Sequence, residues 1–247
     1  MYNFFVENNK KSGDCYNIDG ADFNHIANVL RMNVGEQILV SEQGVSSLCE
    51  IVDISKNCVV AKILQENYIQ TELSIKLHLY QGMPKADKLE TIIQKAVELG
   101  ANTIIPVETS RSIVKIDAKK VDAKVGRWQI IGEAAAKQCK RNIIPKVREP
   151  LSFKQFLAEI DNLDMLIVPY ENKNGMIDTK ETLKSLTPNM NVGVFVGPEG
   201  GIDQQEIEQL SQRKNVKIIS LGSRILRTET ASLTALSMLM LYAETNL

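Results

Sequence analysis

The sequence predicts an α/β protein with a smaller β-rich domain ahead of it, and three observations predict it. Short segments rich in Val and Ile, divided by turn formers, fill residues 1–70. From Leu73 onward, strand patterns alternate with helical ones, as in a mostly parallel sheet with crossover helices. Between them, the polar stretch Gln65 to Glu72 marks a boundary, so residues 1–70 and 73–247 read as separate domains.

Within the first domain, Asn3 to Val6 is a short apolar run, and Ala21 to Arg31 has helical spacing with Phe23, Ile26, Ala27 and Leu30 on one side. The runs Gln37 to Val40, Leu48 to Ile54 and Cys58 to Leu64 are separated by Gly35, Gln43-Gly44 and Lys56-Asn57, which suggests a small barrel or meander. In the second domain, Leu73 to Tyr80 alternates as a strand. Lys85 to Leu99 carries the stripe Leu89, Ile92, Ile93, Ala96 and Leu99 and ends at Gly100, as a helix does. Thr103 to Val107, Met165 to Val168, Val192 to Val196 and Val216 to Leu221 read as strands. Lys119 to Lys140, Phe153 to Ile160, Thr179 to Leu186, Gln204 to Ser211 and Glu229 to Tyr242 read as helices.

A chain of 247 residues, 44% hydrophobic and 24% charged, has the composition of a globular protein with a real core. No charged-then-apolar leader is visible, and the apolar-leaning run Leu233 to Ala243 is too short to span a bilayer. A cytoplasmic protein with no membrane partner is therefore expected. Cys15, Cys49, Cys58 and Cys139 form no CxxC pair, and the two histidines, His25 and His78, give no zinc spacing. Reduced cysteines and no metal site are the expectation, and His78 reads as a strand side chain. Charge is unevenly spread: residues 85–148 carry 14 basic and 7 acidic side chains, against 5 and 9 in 1–70 and 9 and 13 in 149–247. A basic segment between acidic ones suits phosphate, although solvated helix faces would look the same.

Two loops carry the chemistry. Val196-Gly197-Pro198-Glu199-Gly200-Gly201 directly follows a buried strand, where ligands of α/β sheets bind. Its spacing fits a tight turn and a ligand loop equally well, but not a dinucleotide or Walker A motif. Asp203 with Glu206 reads as a capping box for the next helix. The second loop, Leu221-Gly222-Ser223-Arg224-Ile225-Leu226-Arg227-Thr228-Glu229-Thr230-Ala231, also joins a strand to a helix, with Thr228 as its expected N-cap. Arg224 and Arg227 would there meet a phosphate, a carboxylate or a carbonyl. Arg111-Ser112 and Val168-Pro169-Tyr170-Glu171 end two further strands, and Glu133, Lys137, Gln138 and Arg141 share helical spacing.

Taken with His25-Ile26-Ala27-Asn28-Val29-Leu30-Arg31, Glu98-Leu99-Gly100, Pro106 and Pro145, these segments resemble the SPOUT class of methyltransferases. More closely, they resemble the bacterial 16S ribosomal RNA uridine N3-methyltransferase family. The sequence departs from the pattern at Lys140, where similar sequences often carry a small residue before the arginine; this bears on the geometry of the helix end.

The resemblance implies a PUA-like β-domain that contacts RNA, a C-terminal α/β domain with a trefoil knot, a homodimer, and S-adenosylmethionine as cofactor. The substrate it implies is a uridine of 16S rRNA in the 30S subunit. Cofactor contacts are implied for Val168, Pro169, Val196, Gly197, Pro198, Glu199, Gly200, Gly201, Leu221, Gly222, Ile225, Leu226, Arg227, Thr230 and Ala231. RNA contacts are implied for Arg31, Lys85, Lys88, Arg111 and Arg141. Arg227, then Arg224, are the candidates to stabilise an anionic base, and Glu229 or Glu199 to take its proton. A methylase of transfer RNA or of a ribose hydroxyl, and a non-catalytic RNA-binding assembly factor, are the alternatives; an intact glycine loop argues against the last.

Overall fold

The computed structural model describes residues 1–85, 87–114, 116–171 and 175–247. These divide into two compact units, Met1–Glu72 with Ala136–Ile144, and Leu73–Ala135 with Pro145–Leu247.

The first unit is a six-stranded sheet. Its strands are β1 (Asn3–Phe5), β2 (Lys11–Ser12), β3 (Cys15–Ile18), β4 (Gln37–Glu42), β5 (Val45–Ile54) and β6 (Val59–Gln65), with α1 (Gly20–Asn24) after β3. They lie in the order β1-β4-β5-β6-β3-β2, antiparallel except for β1 beside β4. One face of the sheet buries Phe4, Tyr16, Ile38, Val40, Ile51 and Ala61. The helical run expected from Ala21 continues past α1 as a single wide turn, His25–Val29, and stops at Arg31, which takes φ +53°. Strand β3 was not legible as a strand: only Tyr16 and Ile18 of its four residues face the core.

The second unit is wound around a parallel sheet. In chain order it comprises β7 (Lys76–Gly82), α2 (Lys88–Glu98), β8 (Ala101–Glu108), α3 (Val121–Gln138), β9 (Lys146–Val147), β10 (Leu151–Ser152) and α4 (Phe153–Glu159). There follow β11 (Met165–Pro169), α5 (Ile177–Lys184), β12 (Asn191–Val196), α6 (Gln204–Ser211), β13 (Val216–Ile219) and α7 (Thr228–Asn246). The sheet order is β10-β8-β7-β12-β11-β13, with β9 also on β8, and every pairing is parallel. Every expected strand and helix of this unit has its counterpart, with ends moved by a few residues. Ala86, inside the expected first helix, lies outside the described residues. The two-residue strands β9 and β10 were not expected.

Tyr80, Ile105, Phe156, Leu166, Val168 and Phe195 belong to one buried cluster of this unit, with Phe156 and Phe195 ring centroids 4.6 Å apart. His78 lies on β7 as expected, and burial pushes its imidazole below the ordinary value. At the core's edge Glu159 accepts two hydrogen bonds from Arg148, at 2.6 and 2.8 Å, and one from Tyr80 Oη at 2.9 Å. Burial alone would raise the Glu159 carboxyl, but these bonds outweigh it and hold it below its ordinary value.

Helix α3 ends in a Schellman motif. Lys140 sits in the left-handed region at φ +60°, Arg141 N–H donates to Ala136 O at 3.0 Å, and Lys140 N–H donates to Lys137 O at 3.4 Å. This is the position where the sequence departs from the family pattern. Arg141 is only 2% exposed, and its guanidinium bonds both oxygens of Glu72. The RNA-contact role expected of Arg141 is therefore corrected to a structural one. Its charge is taken up by Glu72, which is itself partly exposed.

Candidate functional site: a three-loop cavity

Three neighbouring strands, β12, β11 and β13, run parallel and end together, so the loops after them share one edge of the sheet. They enclose a cavity of about 500 Å3, within the usual size range of small-molecule sites. Pro169, Tyr170 and Glu171 line it after β11. Val196, Gly197, Pro198, Glu199, Gly200, Gly201 and Ile202 line it after β12. Leu221, Gly222, Ser223, Arg224, Ile225, Leu226, Arg227, Thr228 and Ala231 line it after β13, and Lys88 of α2 completes the wall. Two expected contact residues are not part of this lining. Val168 is fully buried and packs into the aromatic core one residue before the strand ends, and Thr230 is exposed on the first turn of α7.

The glycine loop is held from several sides. Gly201 adopts φ +73°, a left-handed conformation that calls for glycine, and the Glu171 carboxylate lies beside it. A Cβ on Gly82, at the end of β7, would stand 2.6 Å from Pro198, so the two backbones touch. Arg111 donates to Gly200 O at 3.1 Å and to Asp203 Oδ2 at 3.2 Å. This arginine, expected to meet RNA, braces the loop, with 45% of its side chain still exposed. Asp203 caps α6 in the expected capping box with Glu206, whose other oxygen accepts from Ser110 N–H at 2.8 Å.

The expected N-cap of α7 is corrected. Arg227 is the N-cap residue, with no side-chain cap, and Thr228 opens the helix. The Thr228 hydroxyl is taken by tertiary partners: it donates to Gly197 O at 2.7 Å and accepts from Gln81 Nε2 at 2.9 Å.

Electrostatically the mouth of the cavity is a mixed set. Lys88 Nζ lies 3.1 Å from Glu199 Oε1 and 3.2 Å from Glu229 Oε2, so one ammonium bridges the two glutamates singled out as bases. Burial would raise the Glu199 carboxyl, but its own backbone N–H, Lys88 and the Lys85 N–H together hold it below its ordinary value. The Lys85 side chain is exposed. So are Arg224 and Arg227, whose side chains make no ion pair or hydrogen bond among the described residues, and Ile225 is 88% exposed between them. Arg31 belongs to the first unit and is exposed there. The arrangement offers a cavity lined by both apolar side chains and polar groups, with the Arg224 and Arg227 guanidiniums at the rim. Gln81 is the site residue that sequence reading missed. Its partners Thr228 and Ser232 lie 147 and 151 residues away, and no local motif marks it. Among the described residues no group of three or more His, Cys, Asp or Glu stands together, and no helix is long and apolar enough to cross a membrane.

Comparison with known proteins places this cavity in a family. Residues 71–240 match the family model described as an RNA methyltransferase domain, and residues 18–64 match an RNA methyltransferase PUA domain. Ribosomal RNA small subunit methyltransferase E of Bacillus subtilis (strain 168) is 40% identical over 244 residues, covering 96% of this chain and 95% of the relative. Its namesake in Mesomycoplasma hyopneumoniae (strain 232) is 30% identical, covering 96% and 98%. Among solved structures, ribosomal RNA small subunit methyltransferase E of Neisseria gonorrhoeae, bound to S-adenosyl methionine, has a TM-score of 0.84 at 28% identity, covering 100% of both chains. A Legionella pneumophila methyltransferase in complex with the same cofactor has a TM-score of 0.80 at 30% identity, covering 97% and 96%.

Proposed function

The chain belongs to the ribosomal RNA small subunit methyltransferase E family, and from that membership we propose that it methylates N3 of a uridine in 16S rRNA. Its fold is the SPOUT-type α/β domain with a PUA-like β-domain, and it is an S-adenosylmethionine-dependent RNA methyltransferase of the small ribosomal subunit. The observation that carries the reading is the convergence of three loops from three adjacent parallel strands on one cavity, with two arginines at its rim whose side chains have no partner among the described residues.

The cavity fits the cofactor. Pro169, Val196, Ile202, Leu221 and Leu226 supply apolar side chains for a purine, and Gly197, Gly200 and Gly201 supply backbone groups without side chains of their own. When bound, S-adenosylmethionine supplies an activated methyl group on a sulfonium. The chain's remaining task is to orient a base and handle one proton. Uridine N3 carries a proton between two carbonyls; attack requires its loss, which places negative charge on the carbonyl oxygens until N3 takes the methyl from the sulfonium and the product is neutral. Arg227, with Arg224 as second, is assigned to meet that charge. Lys88 pairs with both Glu199 and Glu229, but Glu199 also accepts from Lys85 N–H, which weakens it further as a base. Glu229, one residue inside α7, is assigned to accept the proton. The target base is unpaired or flipped to reach the site.

Residues 1–70 are assigned RNA contact through Arg31, and residues 73–247 the chemistry, with Lys85 and the basic segment 85–148 along the RNA path. The working unit is a homodimer, in keeping with exposed apolar side chains such as Leu241 on α7. Incubating the purified protein with radiolabelled cofactor and small subunits from cells lacking the gene, then digesting the RNA, should yield label in 3-methyluridine. Label in a ribose-methylated nucleoside or in transfer RNA would overturn the product assignment.

A further inference from the structure

Gln81, the penultimate residue of β7, is wholly buried, and every polar atom of its side chain is used. Its Nε2 donates to Thr228 Oγ1 at 2.9 Å and to Gly82 O at 3.0 Å, and its Oε1 accepts from the Ser232 hydroxyl. Thr228 and Ser232 are one turn apart on α7, so a single amide fixes both the height and the rotation of that helix. The chain of donors is directional. Because Gln81 N–H occupies the Thr228 oxygen as acceptor, the Thr228 proton is left to donate to Gly197 O at 2.7 Å. Three elements are joined: the end of β7, the first turn of α7 with its N-cap Arg227, and the first residue of the glycine loop.

We propose that Gln81 is a positioning residue for methyl transfer: through Thr228 it sets the glycine loop, and through the start of α7 it sets Arg227. The inference rests on the assignment of the cavity to S-adenosylmethionine. A hydrophobic side chain of similar size would fill the volume but supply neither donor nor acceptor. A glutamate would be worse in a specific way. It accepts but does not donate, so the Thr228 proton would turn toward it and leave Gly197 O without its partner.

The test uses the full chain and isothermal calorimetry with S-adenosylmethionine, alongside steady-state methylation of small-subunit RNA. Gln81→Leu and Thr228→Val should each weaken cofactor binding about tenfold, a change of ~1.4 kcal/mol. They should lower kcat, with KM for RNA unchanged. Thr228→Ser should recover most of what Thr228→Val loses, because it restores the hydroxyl. The double variant Gln81→Leu/Thr228→Val should be little worse than either single one, since both break the same chain. Should Gln81→Leu fail to fold, Ser232→Ala and Gln81→Glu carry the same comparison, with Gln81→Glu predicted the weaker binder. Wild-type affinity and kcat in the Gln81 variants, or fully additive losses in the double variant, would overturn the inference alone. Failure of the unsubstituted protein to bind S-adenosylmethionine would overturn the functional reading and this inference with it.

Discussion

Arg227 lies where the sequence put it, on the loop after β13, but the structure changes its meaning. As N-cap residue of α7 it has extended backbone, and its side chain is exposed and unpaired among the described residues. A guanidinium with no internal partner is available to a developing anion. Arg227→Ala is expected to lower kcat by roughly two to three orders of magnitude while cofactor affinity measured by calorimetry hardly moves. Lost binding with chemistry otherwise intact would contradict the role. Lys88 is the opposite case. It was legible as a basic residue near RNA, and its two carboxylate partners 111 and 141 positions downstream were not. Lys88→Met removes one of the contacts that hold the Glu199 carboxyl low, so carboxyl-detected NMR should find the Glu199 midpoint moved to higher pH. An unmoved midpoint would mean that the backbone donors alone set it.

At the scale of elements, periodicity exposed the long strands and helices because each buries one face, and burial is what the pattern encodes. The two-residue strands β9 and β10 carry too few residues to show a period, and β3 mixes Asn17 and Cys15 with its two core residues. The cap of α7 was misread because local propensity favours Thr as N-cap, whereas Gln81 and Gly197 outbid it from distant parts of the chain. Helix α3 gave a partial warning, since the departure at Lys140 marked the end that takes a left-handed residue. Lys140→Gly is expected to raise stability by up to about 1 kcal/mol in urea titrations, relieving a non-glycine residue in the left-handed region. A loss of stability would show that the Lys140 side chain contributes more than its backbone strain costs.

For the whole molecule, acid should act through its held carboxylates. Glu159 and Glu199 both titrate below the ordinary value of 4.5 in the folded state. Groups of this sign stabilise the fold fully above the unfolded value and lose that contribution as pH falls through the folded one. The thermal midpoint should therefore decline below about pH 4.5, and less steeply in Glu159→Gln, as differential scanning calorimetry would read. An equal slope in that variant would place the acid sensitivity elsewhere.

The glycine loop and the arginine loop were legible as loops at strand ends, but their meeting around one cavity follows from the order β12-β11-β13, which no local pattern states. The same topology brings Arg227 and the glycine loop to one rim, and the central claim is that this rim methylates N3 of a uridine in 16S rRNA. Nucleoside mass spectrometry of 16S rRNA from cells with and without the gene tests it most directly. The account predicts that 3-methyluridine disappears on deletion and returns with the wild-type gene but not with Arg227→Ala; an unchanged 3-methyluridine content in the deletion strain would contradict it.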